Sequence, residues 1–342
     1  MGEAERAPWS LRCVERPGGS PLRLGLAAFV VLASLLVALE LLLGRFDVLG
    51  SEQHAASDFR IALALIGLVA YLLGAFPAAV RGAEHTLREL APAFLDPTQA
   101  PEALADVTGR RRTQRLTRIG AFGTALFLLV PLATNLTPET WYVWRLPPEA
   151  IVHRVLLVPL GWLAARLNAL MWIESRRLAA LGASALRIDL LDLRPLAPLA
   201  RAGLRHTLIG AGQISFLLIA FLDDEVAPGL PFVLALGCAA NVALSAAALW
   251  FPLRGAHEAI VRAKSAELER STAQLRARAE AGAREAPGAL ADALAWRRHV
   301  EAVPDWPIDL PTLRRFVLYL AIPLGSWLGG AVVDLFVGRM AG

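Results

Sequence analysis

Cysteine is almost missing from this chain: Cys13 and Cys238 are the whole complement. Two isolated thiols exclude a disulfide framework and any cysteine-based metal site. Cys238, inside an apolar run, reads as a small packing residue. Lysine is scarcer still, with Lys264 alone beside 33 arginines. Together with abundant Ala, Gly and Pro, that imbalance reflects GC-rich coding and carries no functional weight. Also missing are a P-loop, a Gly-x-Ser-x-Gly elbow and the second histidine that would turn His257-Glu258 into a helical zinc-protease motif. No catalytic residue, cofactor or metal follows from the sequence.

What is present is apolar length. Hydrophobic residues make up 56% of 342, with mean hydropathy +0.50. They gather in seven runs, 22–44, 59–80, 119–136, 151–173, 208–222, 229–251 and 313–337. A helix crossing a hydrocarbon core about 30 Å thick needs roughly 17–25 such residues. The first run is too long for a signal-peptide core and lacks a small-x-small cleavage site after it, so it reads as an uncleaved span. The third is short and contains Pro131, and the fifth follows an amphipathic approach, so these two are the spans open to a tilted or re-entrant path.

The connections alternate in charge. The N-terminal segment carries Arg6, Arg12 and Arg16, with Arg23 at the very start of the first run. Arg81, Arg88, Arg110, Arg111, Arg112, Arg115 and Arg118 fill the second connection. Arg176, Arg177, Arg187, Arg194, Arg201 and Arg205 fill the fourth, and the sixth is again basic. The intervening connections hold only Arg45 and Arg145, with Arg60 at the very start of the second run and Arg339 after the last run. The positive-inside rule then puts the N-terminus in the cytoplasm and the C-terminus outside. The calculated pI near 9.6 is explained by these loops, without nucleic acid as a partner.

The expected protein is therefore all-α: a polytopic helical bundle of a bacterial inner membrane. Residues 1–21 form a cytoplasmic segment and 22–251 the first six spans. Residues 252–311 form a cytoplasmic helical hairpin, and 312–342 the seventh span and a short exterior end. On the outer side, Trp141, Tyr142 and Trp144 suit an interfacial aromatic belt. The basic run 110–115 suits anionic headgroups or a plain topology anchor. Residues 186–201 suit a segment lying along the inner interface.

The hairpin's first arm, 257–279, lacks Pro and Gly. Val261, Leu268 and Leu275 recur every seven residues, and Ile260 and Ala263 widen that face. A breaker-rich turn follows, and Leu290, Leu294 and Val300 are the apolar residues of the second arm. Trp306 suits the interface where the chain returns to the bilayer. The seam can close the hairpin on itself or dock a second subunit.

Two groups of polar residues fall within the runs. Glu40, His153, Arg154 and Asp334 lie at a common depth, roughly 10–14 Å outward of the midplane at 1.5 Å per residue. They pair with one another or snorkel to the nearby surface. Arg166 has no acidic residue at its own depth. Asn168, Gln213, Asn241 and Ser245, with Ser215 and Ser326, are near enough in depth to satisfy it, to line a polar path or to bond helices together.

Partners implied are the lipid bilayer and, through residues 256–303, a cytoplasmic protein or a second copy of the chain. The expected role is a membrane-embedded coupling, signalling or interaction scaffold. The alternative is a small-solute or ion transporter or channel using the intramembrane polar residues.

Overall fold

The structure is a computed structural model that describes residues 9–15, 19–42, 53–107, 109–134, 148–219, 230–281, 288–308, 311–322 and 325. In chain order the helices are α1 (Trp9–Glu15), α2 (Pro21–Leu42), α3 (Gln53–Leu90), α4 (Gln99–Val107) and α5 (Arg110–Thr134). Then come α6 (Pro148–Ser184), α7 (Ala197–Ile219), α8 (Leu230–Ala281) and α9 (Ala289–Ala302). A tenth, α10, covers 311–322. Short 3₁₀ turns occupy Ala91–Ala93 and Arg194–Leu196. Among the described residues there is no sheet, only an isolated bridge between Phe94 and Leu186.

Local chemistry sets the helix ends. The Ser20 hydroxyl accepts a hydrogen bond from the Arg23 amide at 3.1 Å, with Pro21 as the first residue of α2. That is an N-cap followed by a residue with its φ already set. Gly288 precedes α9 with φ 101°, a left-handed conformation that glycine adopts without steric cost. Outside the apolar runs, Asp96 accepts hydrogen bonds from the amide and hydroxyl of Thr98 ahead of α4. Those bonds favour its charged form and hold its carboxyl below the usual range.

Among the described residues, four helices contain stretches long and apolar enough to cross a membrane: Pro21–Leu42, Phe59–Ala93, Val155–Ser184 and Ala235–Glu280. They correspond to the first, second, fourth and sixth apolar runs. The third, fifth and seventh runs continue past the described ends of α5, α7 and α10. The four spans differ in what surrounds them. Only 6% of the most apolar window of α2 is buried, against 61% for α3. Leu22, Leu26, Val30, Leu35 and Leu42 are exposed along the length of α2. A helix so apolar and so little covered by the rest of the protein is compatible with a hydrocarbon surrounding.

The core sits where α3, α6 and α7 meet. Leu72, Leu87, Leu167, Leu170, Met171, Leu178 and Leu199 are essentially sealed there. Small residues bring helices together around it. Gly25 on α2 lies with its Cα 3.6 Å from where a Gly74 side chain on α3 would start, and Gly255 on α8 abuts the backbone of Ala179 on α6. Neither site leaves room for a methyl group, which is how small-residue faces permit close approach in membrane bundles.

Two connections are more ordered than loops. α3 runs 38 residues, past the end of the second apolar run, before α4 and α5 begin. Residues 186–193, the first part of the stretch read as lying along the inner interface, are irregular, pinned at their start by Leu95 donating to the Ala185 carbonyl at 2.9 Å and Arg187 to that of Ala93 at 2.7 Å. Trp141, Tyr142, Trp144, Ser326 and Asp334 lie outside the described residues.

Beyond the bundle, α8 and α9 form the expected antiparallel hairpin, and α8 is one helix of 52 residues that passes Pro252 without a break. The seam differs in detail from the heptad reading. Ile260, Ser271, Ala293, Val300 and Val303 are buried, whereas Val261, Leu290 and Leu294 are exposed. The Trp296 indole donates to Glu267 at 2.9 Å, and this contact selects the face that α9 turns inward. Ala293, Trp296, Val300 and Val303 follow a 3-4-3 spacing on that face, so Leu294 falls outside it.

Candidate functional site

Arg166 is buried on α6, 5% exposed, among apolar side chains. Its guanidinium carbon lies 4.5 Å from the centroid of Phe76 on α3 and 4.7 Å from that of Trp162 on α6. An aromatic face attracts a cation electrostatically, by about 2 kcal/mol or more when both are dry. This supplies the partner that no carboxylate provides. Gly120 on α5 makes the sandwich possible, since a side chain there would strike Trp162 and sit 2.8 Å from Arg166 Cγ. The Arg166 Nε makes no hydrogen bond among the described residues.

The other interior residues resolve into separate pairs. Gln213 donates to Asn168 Oδ1 at 3.3 Å, linking α7 to α6. Asn241 donates to the Gly237 carbonyl of its own helix at 3.0 Å, leaving its Oδ1 without a partner. Ser245 packs against Gly210 with its hydroxyl unbonded. Ser215 bonds back to Ala211 at 3.0 Å. The structure thus joins Asn168 to Gln213, brings Ser245 against α7 and hydrogen-bonds none of these to Arg166. In the outer group, Glu40 is half-buried on α2. The side chains of His153 and Arg154, and all of Asp334, lie outside the described residues, and with them the pairs expected there.

A polar layer that sequence reasoning missed crosses the bundle at the hairpin end. Arg112 on α5 donates to Glu174 on α6 at 2.6 Å, with side chains 5% and 1% exposed. Arg205 on α7 donates to the Thr86 hydroxyl on α3 at 3.0 Å, and Arg201 pairs with Glu89 at 3.2 Å. Arg177 on α6 reaches the Ala103 carbonyl and pairs with Asp106 at 3.3 Å. Five helices are therefore tied by charge in one layer. Arg112 Nε and Nη1, Glu174 Oε1 and Arg205 Nε have no hydrogen-bond partner among the described residues. Arg112 belongs to the run read as a headgroup contact or topology anchor, yet it points inward; Arg110, Arg111 and Arg115 stay exposed. One signal was available: Glu174 directly follows the apolar Met171-Trp-Ile173, one residue past the end assigned to the fourth run.

Within the same layer, Ser175 Oγ lies 3.2 Å from His206 Nδ1, both buried. The pair has the composition of a nucleophile and base, but Ser175 also sits 2.7 Å from the Met171 carbonyl. That carbonyl can only accept, so the hydroxyl proton has a stronger and shorter claim away from the imidazole. Both side chains are sealed from solvent, and the arrangement is that of a hydrogen-bonded core pair. Among the described residues, no three His, Cys, Asp or Glu side chains converge as a metal site.

The root of the hairpin is the third polar constellation. Lys264 on α8 donates to the Val303 carbonyl and to Asp305, each at 2.9 Å. His257 lies 2.8 Å from the Asp305 carbonyl through Nδ1, and its ring stacks on Trp306 at 4.2 Å and 9°. These contacts fasten the returning chain to α8 at the level where both leave the bundle. Arg262 also reaches the Ala183 carbonyl of α6, so the root is tied to the bundle as well.

Among the described residues, the fold and these constellations define an almost entirely helical protein with four helices long and apolar enough to cross a membrane and a hairpin built on one of them. No family model, curated protein or solved structure matches the chain.

Proposed function

We propose that the protein is a membrane-embedded coupling protein of a bacterial inner membrane, in which the hairpin carries the state of the bundle to a cytoplasmic partner. The observation that carries the proposal is the continuity of α8. A single 52-residue helix extends about 78 Å at 1.5 Å per residue, from the sixth apolar run to the hairpin tip. Its middle is seated on α6 by Gly255, Ala256 and Ile260, the last two fully buried. A shift of α8 against α6 is therefore transmitted to the tip with little internal give. Seven spans, with the hairpin in the cytoplasm, follow from the alternating arginines. No chemical step enters the proposal.

The exposed Leu290 and Leu294, one turn apart on α9, form the surface for that partner. A photo-crosslinking residue at Leu294 should yield a discrete protein adduct in native membranes. The adduct should vanish in Leu290→Glu, which charges the neighbouring exposed position and keeps the crosslinking residue in place. Absence of any protein adduct from position 294 would contradict the proposal.

Transport is the second reading, favoured by the unbonded Asn241 Oδ1 and Ser245 Oγ inside α8. A buried polar atom without a partner costs about 1–3 kcal/mol, and function is one reason to keep it. Against it stand the closed Arg166 sandwich and the Asn168–Gln213 bond, which use up the groups a path would need. Proteoliposomes should show no ion or solute flux that depends on Arg166; flux abolished by Arg166→Ala would favour transport.

A further inference from the structure

Along α5 one exposed stripe changes from basic to apolar. Arg111, Arg115 and Arg118 are exposed, and so are Phe122, Leu126 and Leu129, at 71%, 54% and 55%. Steps of 4, 3, 4, 4 and 3 residues keep all six within an arc of about 80° at 3.6 residues per turn. The buried side of the helix is a separate one, where Arg112, Gly120 and Gly123 meet α6. We propose that the stripe binds an anionic phospholipid, its phosphate at Arg115 and Arg118 and one acyl chain along Phe122, Leu126 and Leu129.

The charge is free for an external anion. Arg111, Arg115 and Arg118 make no ion pair or hydrogen bond among the described residues. Arg112 is taken by Glu174, and Asp106, the acidic residue just before α5, is taken by Arg177 at 3.3 Å. A guanidinium offers phosphate two parallel N–H donors, so exposed arginines suit that ligand.

Depth selects a lipid over other anions. Arg118 directly precedes the third apolar run, where hydrocarbon gives way to headgroups. Arg115 and Arg111 follow about 4.5 and 10 Å farther out at 1.5 Å per residue. A headgroup layer is about 5–8 Å thick, so Arg115 and Arg118 stand within it. Arg111 reaches it through its long side chain. A nucleic acid or an acidic soluble protein matches the arginines but leaves Phe122, Leu126 and Leu129 uncovered. A zwitterionic lipid covers those three, yet its ammonium group is repelled by the arginines.

The site rests on the membrane reading above, with the third run as a span, and requires no protein partner. Its test uses the full chain in phosphatidylcholine nanodiscs doped with phosphatidylglycerol or phosphatidylcholine carrying a photoreactive diazirine on one acyl chain. Adducts are mapped by peptide mass spectrometry. At equal mole fraction, phosphatidylglycerol should label 122–129 in excess over phosphatidylcholine, a comparison that needs no variant to fold. The excess should fall about fivefold in Arg115→Gln and again when Arg118→Gln is added. Arg110→Gln removes an equal charge from another face of the helix and should leave the excess in place. Equal labelling by both lipids would mean ordinary boundary lipid and overturn the site while the membrane reading stands. An excess unchanged by Arg115→Gln/Arg118→Gln, or lowered as much by Arg110→Gln as by Arg115→Gln, would overturn it too. Labelling of 122–129 by neither lipid would remove the span, and the site with it.

Discussion

Arg112 and Glu174 show what a buried ion pair does to a helical bundle. Removing two charges from water costs several kcal/mol each, and attraction at 2.6 Å repays this only while both partners are present. Glu174→Ala should therefore destabilise the protein by about 3–5 kcal/mol, whereas Arg112→Met/Glu174→Met should restore most of the loss. Denaturant titration of the purified protein in detergent checks both, and equal losses in the single and double variants would refute the argument. Arg166 obeys a different logic, because its partners are rings. Arg166→Met keeps much of the packed stem but loses the cation–π contacts, and should cost about 2 kcal/mol in the same titration. The sequence was legible here to the extent that Arg166 stood out as an isolated charge in an apolar run. It could not show that Phe76, 90 positions earlier, would supply a face. Glu174 was hidden by adjacency: a carboxylate at the edge of a run looks solvated until α5 brings Arg112 to it.

At the scale of elements, the helices and the hairpin were readable because apolar length and missing breakers act locally. The packing register was not. Val261, Leu268 and Leu275 suggested the seam, yet Ile260 rather than Val261 is buried, because α8 serves α6 at its root and α9 farther out. Val300→Ala, at a fully buried seam position, should cost about 1.5 kcal/mol from the two lost methyl equivalents. Leu294→Glu should change stability by less than about 0.5 kcal/mol, since its side chain faces solvent. Thermal unfolding that ranked these two in the opposite order would show the seam to be wrongly placed. Gly255 marks the corresponding contact on the bundle side. A methyl group there collides with the Ala179 carbonyl oxygen and lies within 2.8 Å of its carbonyl carbon, and backbone cannot rotate aside. Gly255→Ala should fold with α8 displaced from α6, at a cost of about 1–3 kcal/mol.

For the whole molecule, the alternation of arginines makes a sided prediction. Single cysteines at Gln114 and Leu294, in a Cys13→Ser/Cys238→Ala background, should react with a membrane-impermeant thiol reagent only from the cytoplasmic face. A cysteine at Tyr142 should react only from the other. Labelling of all three from one side would remove the seven-span arrangement. The central claim, that α8 acts as one stiff lever, is tested most directly by the distance between spin labels at Gln114 on α5 and Arg276 near the tip of α8. In nanodiscs the coupling account predicts a narrow distance distribution. Gly255→Ala should move it by several ångström without broadening it, because position 276 lies about 32 Å along the helix from the pivot. A broad distribution, or a narrow one that Gly255→Ala leaves in place, would contradict the account.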